Sequence, residues 1–449
     1  DMGEAAKISL KAIGKQDTYL LSKDPEESSF NYDDQKRHSE FRKYHRSRLV
    51  SNPNKFSGWP FGQTFKVEFK PQNMGDLLSN MYLSMKMPGL RNPIDGNYAD
   101  QLGRHLLKSV TMFVDDIEIE KIYDDWGIIY DELYLEVSEK VANRFLVNRN
   151  IGFDDSQVNP NLAVYDSDIV IPLHFFFSRK YASDEYSSNK PNRPYFPVCA
   201  IHRQKIEFEF EFHEGTFFTD RDLTTNPISL DHFNIITEEI TVSPDDRRYL
   251  VSQRQVISTD LVKKHPEIVS EVGNTIITNN LVPNIPVKCI HWFLRNTKFE
   301  NLKTGIGNTP AAGFRLYENR FNFSSSLDFQ GENTFFDPLM REATFFINGN
   351  KLPNITNTDH SYFKYLIPFQ KRLARPIRNI YTYSFSLNPI NVEPSGNLDF
   401  SQLVADKTLI EVKLDTDNID IQNETFTLHM YYTGYQTFVF DKGFMSVAY

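Results

Sequence analysis

The chain has 449 residues, a mass of 52.3 kDa and a formal charge of −10, and 40% of its residues are hydrophobic. Aromatic residues are scarce in disordered chains, so its 37 Phe, 22 Tyr and 3 Trp exclude intrinsic disorder and favour strands, where flat rings pack well. Two cysteines, Cys199 and Cys289, are too few for a disulfide scaffold and lack the spacing of structural zinc ligands, while net acidity disfavours a nucleic-acid coat.

The apolar runs of the sequence are short. None approaches the ~18–20 residues needed to cross a bilayer, and residues 1–20 lack the continuous apolar segment of a signal peptide. The longest run, Ile169–Phe177, contains a proline and a histidine. We therefore expect a soluble, intracellular protein that is mainly β-structure.

Residues 1–60 are polar and irregular, and they include a basic stretch with interleaved aromatic residues. One interpretation is a solvated arm packed by its own aromatic side chains. The other is a contact surface for an acidic protein, a lipid headgroup or a nucleic acid. The basic residues are Lys36, Arg37, Arg42, Lys43, Arg46 and Arg48.

Alternating apolar and polar residues predict strands in the first half of the chain. The segments Thr64–Lys70 and Met81–Met87 show this pattern, and Ser109–Ile119 predicts a hairpin that turns at two aspartates. The cleanest alternation is Ile206–Phe212, where we expect three Phe to face inward and three Glu outward.

Two further segments of the first half break this alternation. Ile129, Leu133 and Val137 recur at helical spacing, which predicts a helix around Trp126–Ala142. The continuous apolar run Ile169–Phe177 predicts a strand that is buried on both faces or at an interface.

The second half repeats these signals, with little helical periodicity. The pair Asn348-Gly349 is the strongest short signal for a hairpin turn, so Ala343–Lys351 predicts a hairpin. The other predicted strands are Lys288–Leu294, Arg320–Phe323, Tyr365–Gln370, Tyr381–Leu387, Leu409–Leu414, Phe426–Tyr432 and Thr437–Phe440.

The order of these elements indicates an internal duplication. Val110–Asp116 matches Ala343–Gly349 position by position, and in each half a proline-containing apolar strand and then a strongly alternating strand follow. The remaining matched pairs are Pro172 with Pro368 and residues 206–212 with residues 381–387.

A domain boundary is predicted at the charged, turn-rich segment Ser243–Arg248. Residues 1–60 would form an N-terminal arm with the first strand region. Residues 61–242 and 243–449 would then form two β-sandwiches of similar size.

The sequence contains no motif that indicates catalysis or cofactor binding. Phosphate-binding GxxxxGK[ST], the hydrolase GxSxG and the metalloprotease HExxH are all missing. Asp415–Asp420 has the acidic spacing of a calcium loop but lacks its glycine and its closing glutamate. The acidic doublets at 115–116, 124–125, 154–155 and 245–246 are typical of solvated turns, and the histidines lack metal-ligand spacing. We therefore expect no catalytic, metal or cofactor site.

Eight motifs in family order nevertheless resemble the major capsid protein of nucleocytoplasmic large DNA viruses. The most specific is Tyr381–Pro389 with Pro394–Ser401, which is similar to the family's Y-S-F-A-L-x-P and P-S-G-x-x-N-F-S signature, with Asp399 in place of the family's Asn. The residues that carry the resemblance are Gln16, Asp17, Tyr19, Arg37, His38, Phe41, Gly75, Asp76, Tyr123, Asp125, Trp126, Pro172, Tyr383, Phe385, Pro389, Pro394, Ser395, Gly396 and Phe400.

The resemblance implies an all-β double jelly roll, in which two eight-stranded antiparallel sandwiches lie side by side with long loops and an N-terminal arm. It implies a non-enzymatic shell subunit without cofactors that forms homotrimeric, pseudo-hexameric capsomers, tiles an icosahedral shell, and is located in the virion after assembly in the host cytoplasm. The expected partners are neighbouring capsomers and minor capsid proteins, with no specific nucleic acid.

The resemblance also gives expectations for particular segments. The basic arm would contact minor capsid proteins or an internal viral membrane through Lys36, Arg42, Lys43, Arg46 and Arg48. Loops 178–197 and 303–313 would face outward. Two alternatives stay open: a minor shell or scaffold protein of the same fold, and a carbohydrate-binding or glycosidase jelly roll, which requires a cleft with exposed aromatic rings and two carboxylates.

Overall fold

The computed structural model describes residues 41–89, 98–99, 101–147, 166–179, 195–219, 223, 225–300, 320–325, 337–355, 358–391 and 394–448. Within these residues the fold is built from strands, all paired antiparallel, and a few short helices. The strands are β1 Phe41–Ser51, β2 Thr64–Phe69, β3 Leu77–Met87, β4 Leu107–Val114, β5 Ile117–Tyr123, β6 Ser167–Leu173, β7 Ile206–Phe212, β8 His232–Val242, β9 Gln255–Val269, β10 Ile276–Asn280, β11 Val287–Asn296, β12 Met340–Ile347, β13 Asn350–Leu352, β14 Tyr381–Ser384, β15 Leu409–Leu414, β16 Phe426–Asp441 and β17 Phe444–Ala448.

The α-helices of the described residues all lie in connections between strands. The last one is preceded by a π-helical turn, Tyr362–Leu366. The α-helices are α1 Leu102–Leu106, α2 Asp124–Leu133, α3 Val137–Val147, α4 Pro244–Ser252 and α5 Ile367–Gln370.

The strands form four sheets, and these sheets make two sandwiches with the same strand order. In the first sandwich the sheets are β1-β8-β3-β6 and β2-β7-β4-β5. In the second sandwich the sheets are β9-β16-β11-β14, with β17 added to β16, and β10-β15-β12-β13. Each of the strands β1 to β8 therefore occupies the position that the strand eight places later occupies in the second sandwich. Two eight-stranded sandwiches of this kind are the predicted double jelly roll.

The predicted duplication is correct for its hairpins and wrong for its later matches. Hairpins β4-β5 and β12-β13 hold equivalent positions, and both turn through left-handed residues, at Asp115-Asp116 and Asn348-Gly349. The alternating strand β7, however, corresponds to β15, whereas residues 381–387 contribute β14, the counterpart of β6. Pro368 lies in helix α5 and in no strand.

Three apolar segments differ from their predicted strands. Ile169–Phe177 is a strand only up to Leu173, and β6 alternates in burial, while Phe175, Phe176 and Phe177 are buried in a turn. The strand predicted at Arg320–Phe323 is a buried turn. Tyr365–Gln370 is helical, because the apolar side chains of Phe363 and Ile367 recur there with the four-residue spacing of a helix.

Other predicted elements are correct or merge with their neighbours. Strands β2, β7 and β15 match their predicted segments within a residue. The predicted helix around Trp126–Ala142 is two helices, α2 and α3. The two strands predicted within 426–440 are the single strand β16.

Two apolar cores stabilise the described part of the molecule, and the larger one crosses between the sandwiches. It includes Phe208 and Phe210 of the first jelly roll together with Phe293, Tyr431 and Phe438 of the second. The smaller core lies inside the second jelly roll. Helix α4 joins β8 to β9 at the predicted boundary, and the Ser243 hydroxyl caps it by accepting from the Asp246 N–H at 3.2 Å. The division into domains 61–242 and 243–449 stays a prediction.

Candidate functional site at the seam between the jelly rolls

Helix α2 lies at the seam between the two jelly rolls. It follows β5 directly, and its first turn carries Asp124 and Asp125, which suit the positive end of a helix. All ten of its residues are buried. The Trp126 ring lies 5.9 Å from the ring of His291 on β11 and 6.4 Å from the ring of Tyr431 on β16. The first jelly roll is therefore packed onto the second through this helix.

Buried ion pairs join α2 to the second jelly roll. Asp125 pairs with Arg295 of β11 and accepts a hydrogen bond from the Tyr431 hydroxyl at 3.2 Å. Arg295 also donates to Glu300 at 3.0 Å. Burial alone would lower the pKa of Arg295, but Asp125 and Glu300 outweigh burial and raise it. Arg295 is thus held as a cation inside the protein.

The neighbouring carboxylate of α2 is held in the same way. Asp124 accepts from Arg320 at 3.1 Å and lies 3.0 Å from the His213 ring nitrogen. Burial favours the neutral acid, yet Arg320 and His213 together lower the pKa of Asp124. The acidic doublet 124–125 was predicted to be a solvated turn, and this prediction is wrong because both carboxylates are buried against arginines.

A second charged cluster ties β5 to β9. The Arg179 guanidinium donates twice to Glu120 at 2.7 Å and once to the Asp260 carbonyl at 2.5 Å. Glu120 also accepts from the backbone N–H of Val262 at 3.0 Å. The Asp260 carboxylate pairs with Lys288 at 3.2 Å. Residues from both jelly rolls therefore share one hydrogen-bonded network.

The other end of α2 makes two more buried pairs. Glu132 accepts from Arg378 at 2.6 Å, and Asp131 pairs with Arg104 at 2.8 Å, while the His174 ring nitrogen lies 3.6 Å from Asp131. Burial opposes ionisation of Asp131, but Arg104 outweighs it and lowers the pKa to about 2. Burial lowers the pKa of His174 to about 4. These charges are paired inside the protein, so the arrangement fixes geometry and offers no acid or base to a substrate.

The signature segment around Pro389 reaches the same seam. Pro389 and Trp126 line one small cavity of about 10 Å³, although they are far apart in sequence. The Ser395 hydroxyl accepts from the Asn388 N–H at 2.9 Å and lies 2.6 Å from the Ser386 hydroxyl, which fixes the turn. The structure therefore brings together two motifs that the sequence analysis treated separately.

Glycine is required at one position of this turn. Gly396 has a φ of +123°, and a Cβ atom there would lie 3.2 Å from the Phe385 carbonyl oxygen. The rings of Tyr383, Phe385 and Phe400 follow one another at 5.3 and 5.9 Å, so these motif residues pack against the smaller core. Pro394 lies in the same irregular segment.

The Gly75-Asp76 motif anchors the end of β8. Gly75 donates to Glu239 at 2.7 Å, and a Cβ atom on Gly75 would lie 3.0 Å from the Glu239 Cβ, so the close approach favours glycine. Asp76 accepts from the Val242 N–H at 3.0 Å and pairs with Arg247 of α4 at 3.2 Å. The motif therefore fixes the start of the connection between the jelly rolls.

The remaining predicted residues are spread over the molecule. Tyr123 precedes α2, with its ring 6.1 Å from Tyr431, and the Pro172 carbonyl of β6 accepts from Arg104 at 3.0 Å. Phe41 is exposed at the start of β1. Six predicted residues lie outside the described part of the chain: Gln16, Asp17, Tyr19, Lys36, Arg37 and His38.

The described part of the basic stretch is strand β1, which pairs with β8 along its whole length. Lys43 pairs with Glu238 at 3.0 Å, and Arg46 and Arg48 lie 3.8 and 3.6 Å from Glu239. Much of its charge is thus balanced within the sheet. The Arg42 guanidinium lies 5.9 Å from the Tyr44 ring centre. Loop 303–313 and most of 178–197 lie outside the described residues.

Sequence reasoning missed the arginines of the seam. Lys288 and Arg295 lie in a strand that is mostly apolar, and a charge inside a buried strand is a signal for a buried partner. Among the described residues, no group of His, Cys, Asp and Glu has metal-binding geometry, and no helix is long and apolar enough to cross a membrane. Cys199 and Cys289 are buried free thiols whose pKa burial raises to about 11.

Two family models match consecutive parts of the chain. The model described as the N-terminus of the major capsid protein matches residues 38–248, and the model described as the large eukaryotic DNA virus major capsid protein matches residues 238–445. The chain belongs to the major capsid protein family of large eukaryotic DNA viruses. The resemblance inferred from the sequence is confirmed, and membership of this family gives the chain a structural role in a viral capsid.

Curated capsid proteins and solved capsid structures match over most of the chain. The major capsid protein of Paramecium bursaria Chlorella virus 1 is 22% identical and covers 92% of this chain and 87% of its own length. That of Pyramimonas orientalis virus is 24% identical and covers 92% of both chains.

The solved structures support the fold. VP54 of PBCV-1, fitted into a reconstruction of the virophage Sputnik, has a TM-score of 0.67 at 18% identity, over 92% of this chain and 98% of that chain. The Faustovirus major capsid protein has a TM-score of 0.63 at 12% identity, over 97% and 98%. These likenesses confirm the double jelly roll.

Proposed function

We propose that this capsid protein is the repeating subunit of an icosahedral shell and that three copies associate into a pseudo-hexagonal capsomer. The repeated strand order carries the proposal. Since β1 to β8 and β9 to β16 take the same positions in two sandwiches, one subunit presents two similar blocks. Three subunits in a ring would present six, which suits the hexagonal tiling of a flat facet.

The seam supports this proposal because a subunit of a flat facet must keep its two jelly rolls in a fixed orientation. Buried ion pairs and the shared apolar core resist sliding of one jelly roll over the other. Shell geometry would then depend on the contacts between subunits, while the orientation of the two blocks within each subunit stays fixed.

Light scattering after gel filtration tests the trimer. We expect a mass of about three times 52.3 kDa, and a particle with six-cornered outline in electron micrographs. A chain that stays monomeric at high concentration would contradict the proposal. Copy number in purified virions separates a major shell subunit from a minor shell or scaffold protein of the same fold.

We further propose that contacts with minor capsid proteins or an internal membrane depend on the segment before β1. The cations of β1 itself are largely paired with Glu238 and Glu239, which leaves Lys36 and its neighbours as the candidates. Removal of residues 1–40 should abolish binding to anionic vesicles or minor proteins while the shortened chain still forms a trimer. Unchanged binding after this deletion would contradict the proposal.

A further inference from the structure

Helix α3 exposes its apolar side to solvent. Its outward residues Val137, Val141, Phe145 and Leu146, here called the α3 stripe, are 79, 54, 49 and 40% exposed. Its charged residues instead lie half-buried against the protein, and Lys140 donates to the Arg375 carbonyl at 2.9 Å. A surface helix normally turns its apolar side toward the core, so the reversed arrangement indicates that another surface covers the stripe.

An apolar groove lies next to this helix. It has a volume of about 740 Å³ and surrounds the turn from the π-helical segment into α5. Phe369 is 82% exposed at its wall. The residues that line it, here called the α5 groove, include Tyr362, Tyr365, Leu366, Phe369, Leu373 and Arg375. The bond from Lys140 to the Arg375 carbonyl places helix α3 beside a residue that lines the groove.

The two patches have complementary shape and charge. The stripe projects as a row of aliphatic and aromatic side chains, while the groove is concave and apolar. Glu136 is exposed beside Val137, while the groove side carries exposed Arg372, Arg375 and Asp359 and is positive on balance. Within the described residues Glu136, Arg372 and Arg375 form no ion pair. Opposite charges at the rim of an apolar contact favour one register of docking.

We propose that the α3 stripe of one subunit docks into the α5 groove of a second copy of this chain, and that this contact closes the trimer. The inference rests on the proposed function, since a head-to-tail ring needs two different, complementary patches on each subunit. Large apolar side chains at the centre with charges at the rim are the usual composition of such an interface.

Single substitutions that place a charge in either patch test the contact. Val141→Asp and Phe369→Asp should each reduce the mass measured by light scattering from trimer to monomer. Val404→Asp is the matched control, because Val404 is 52% exposed outside both patches and its substitution should leave the trimer intact. All three side chains are exposed, so unchanged circular dichroism spectra should show that the variants fold.

Mixing the two variants distinguishes this contact from a symmetric one. A Val141→Asp subunit keeps an intact groove, and a Phe369→Asp subunit keeps an intact stripe. The two variants should therefore form a mixed dimer, in which the intact stripe docks into the intact groove. A mixture that stays monomeric would overturn the proposal. Glu136→Arg and Arg375→Glu should each weaken the trimer severalfold, and their combination should restore it.

These experiments distinguish an error in the proposed interface from an error in the proposed trimer. A monomeric unmodified chain would overturn the trimer. A trimeric unmodified chain with trimeric Val141→Asp and Phe369→Asp variants would overturn only this interface. Trimeric variants that no longer bind anionic vesicles would assign the stripe to a lipid surface instead.

Discussion

Strands β3 and β11 occupy equivalent positions in the two jelly rolls, yet they differ in burial. Along β3, Met81, Leu83 and Met85 are buried while the residues between them are partly exposed. All ten residues of β11 are buried. One side of β11, with Trp292, faces the smaller core, and the other side, with Phe293, joins the core that crosses the seam.

The difference comes from what covers the second face of each strand. Helix α2 packs on the seam side of β11, where Tyr134 lies 2.8 Å from His291 and Asp125 pairs with Arg295. Residues that would be solvated in an isolated sandwich are therefore buried in the pair. Equivalent strands of the two jelly rolls can therefore carry different side chains, because the neighbouring jelly roll decides how much of each strand is exposed to solvent.

The largest expected effect comes from breaking the seam pair. Asp125→Ala should lower the free energy of unfolding by about 3–5 kcal/mol, because the Arg295 guanidinium stays buried and loses a carboxylate. Urea denaturation measures it. Asp245→Ala is the control, since Asp245 pairs with Arg248 in solvent, and it should change stability by less than about 1 kcal/mol. Equal effects of the two substitutions would show that the ion pair between Asp125 and Arg295 does not stabilise the packing of the two jelly rolls.

Protonation of any one buried histidine in acid should weaken the fold by an intermediate amount. Burial lowers the pKa of His105 and His291 to about 3 and that of His174 to about 4, below the ordinary 6.5 of an unfolded chain. Stability from these neutral rings is fully present above pH 6.5 and is lost as pH falls toward the folded values. At pH 5 each ring should cost about 2 kcal/mol.

Urea denaturation at pH 7.5 and at pH 5 measures the contribution of His291 on β11. The His291→Gln variant should lose less stability between these two pH values than the unmodified chain, by about 2 kcal/mol. An identical pH dependence would show that His291 is not the titrating group.

The smallest expected effect compares the two equivalent hairpins. Gly349→Asp gives the second hairpin the residue type of the first, and it should cost about 1 kcal/mol because Gly349 has a φ of +81°. Asp116→Asn should stay within about 0.5 kcal/mol, since Asn tolerates left-handed backbone as Asp does. Thermal unfolding measures both. A cost at Gly349 no larger than that at Asp116 would show that the two turns bear the same strain.

Much of the fold could be predicted from local sequence patterns. Strict alternation located β2, β7 and β15, and turn chemistry located both hairpins. Continuous apolar runs were less informative, because such a run fits a strand, a helix or a buried turn equally well. This explains the wrong predictions at Phe175–Phe177 and at Tyr365–Gln370.

The site was less predictable than the fold. Trp126 and Pro389 were singled out as separate motifs, and only the structure shows that they meet. The doublet Asp124-Asp125 was assigned to a solvated turn, since two adjacent carboxylates give no sign of a distant partner. Its partners Arg295 and Arg320 lie 170 or more positions later in the chain.

The sequence by itself determined the β-period, the turns and the repeated order of hairpins, because each depends on residues a few positions apart. The tertiary structure decided which charges are buried and which apolar side chains are exposed, as on β11 and on the α3 stripe. Burial depends on which surface packs against a residue, and at the seam that surface comes from the other half of the chain.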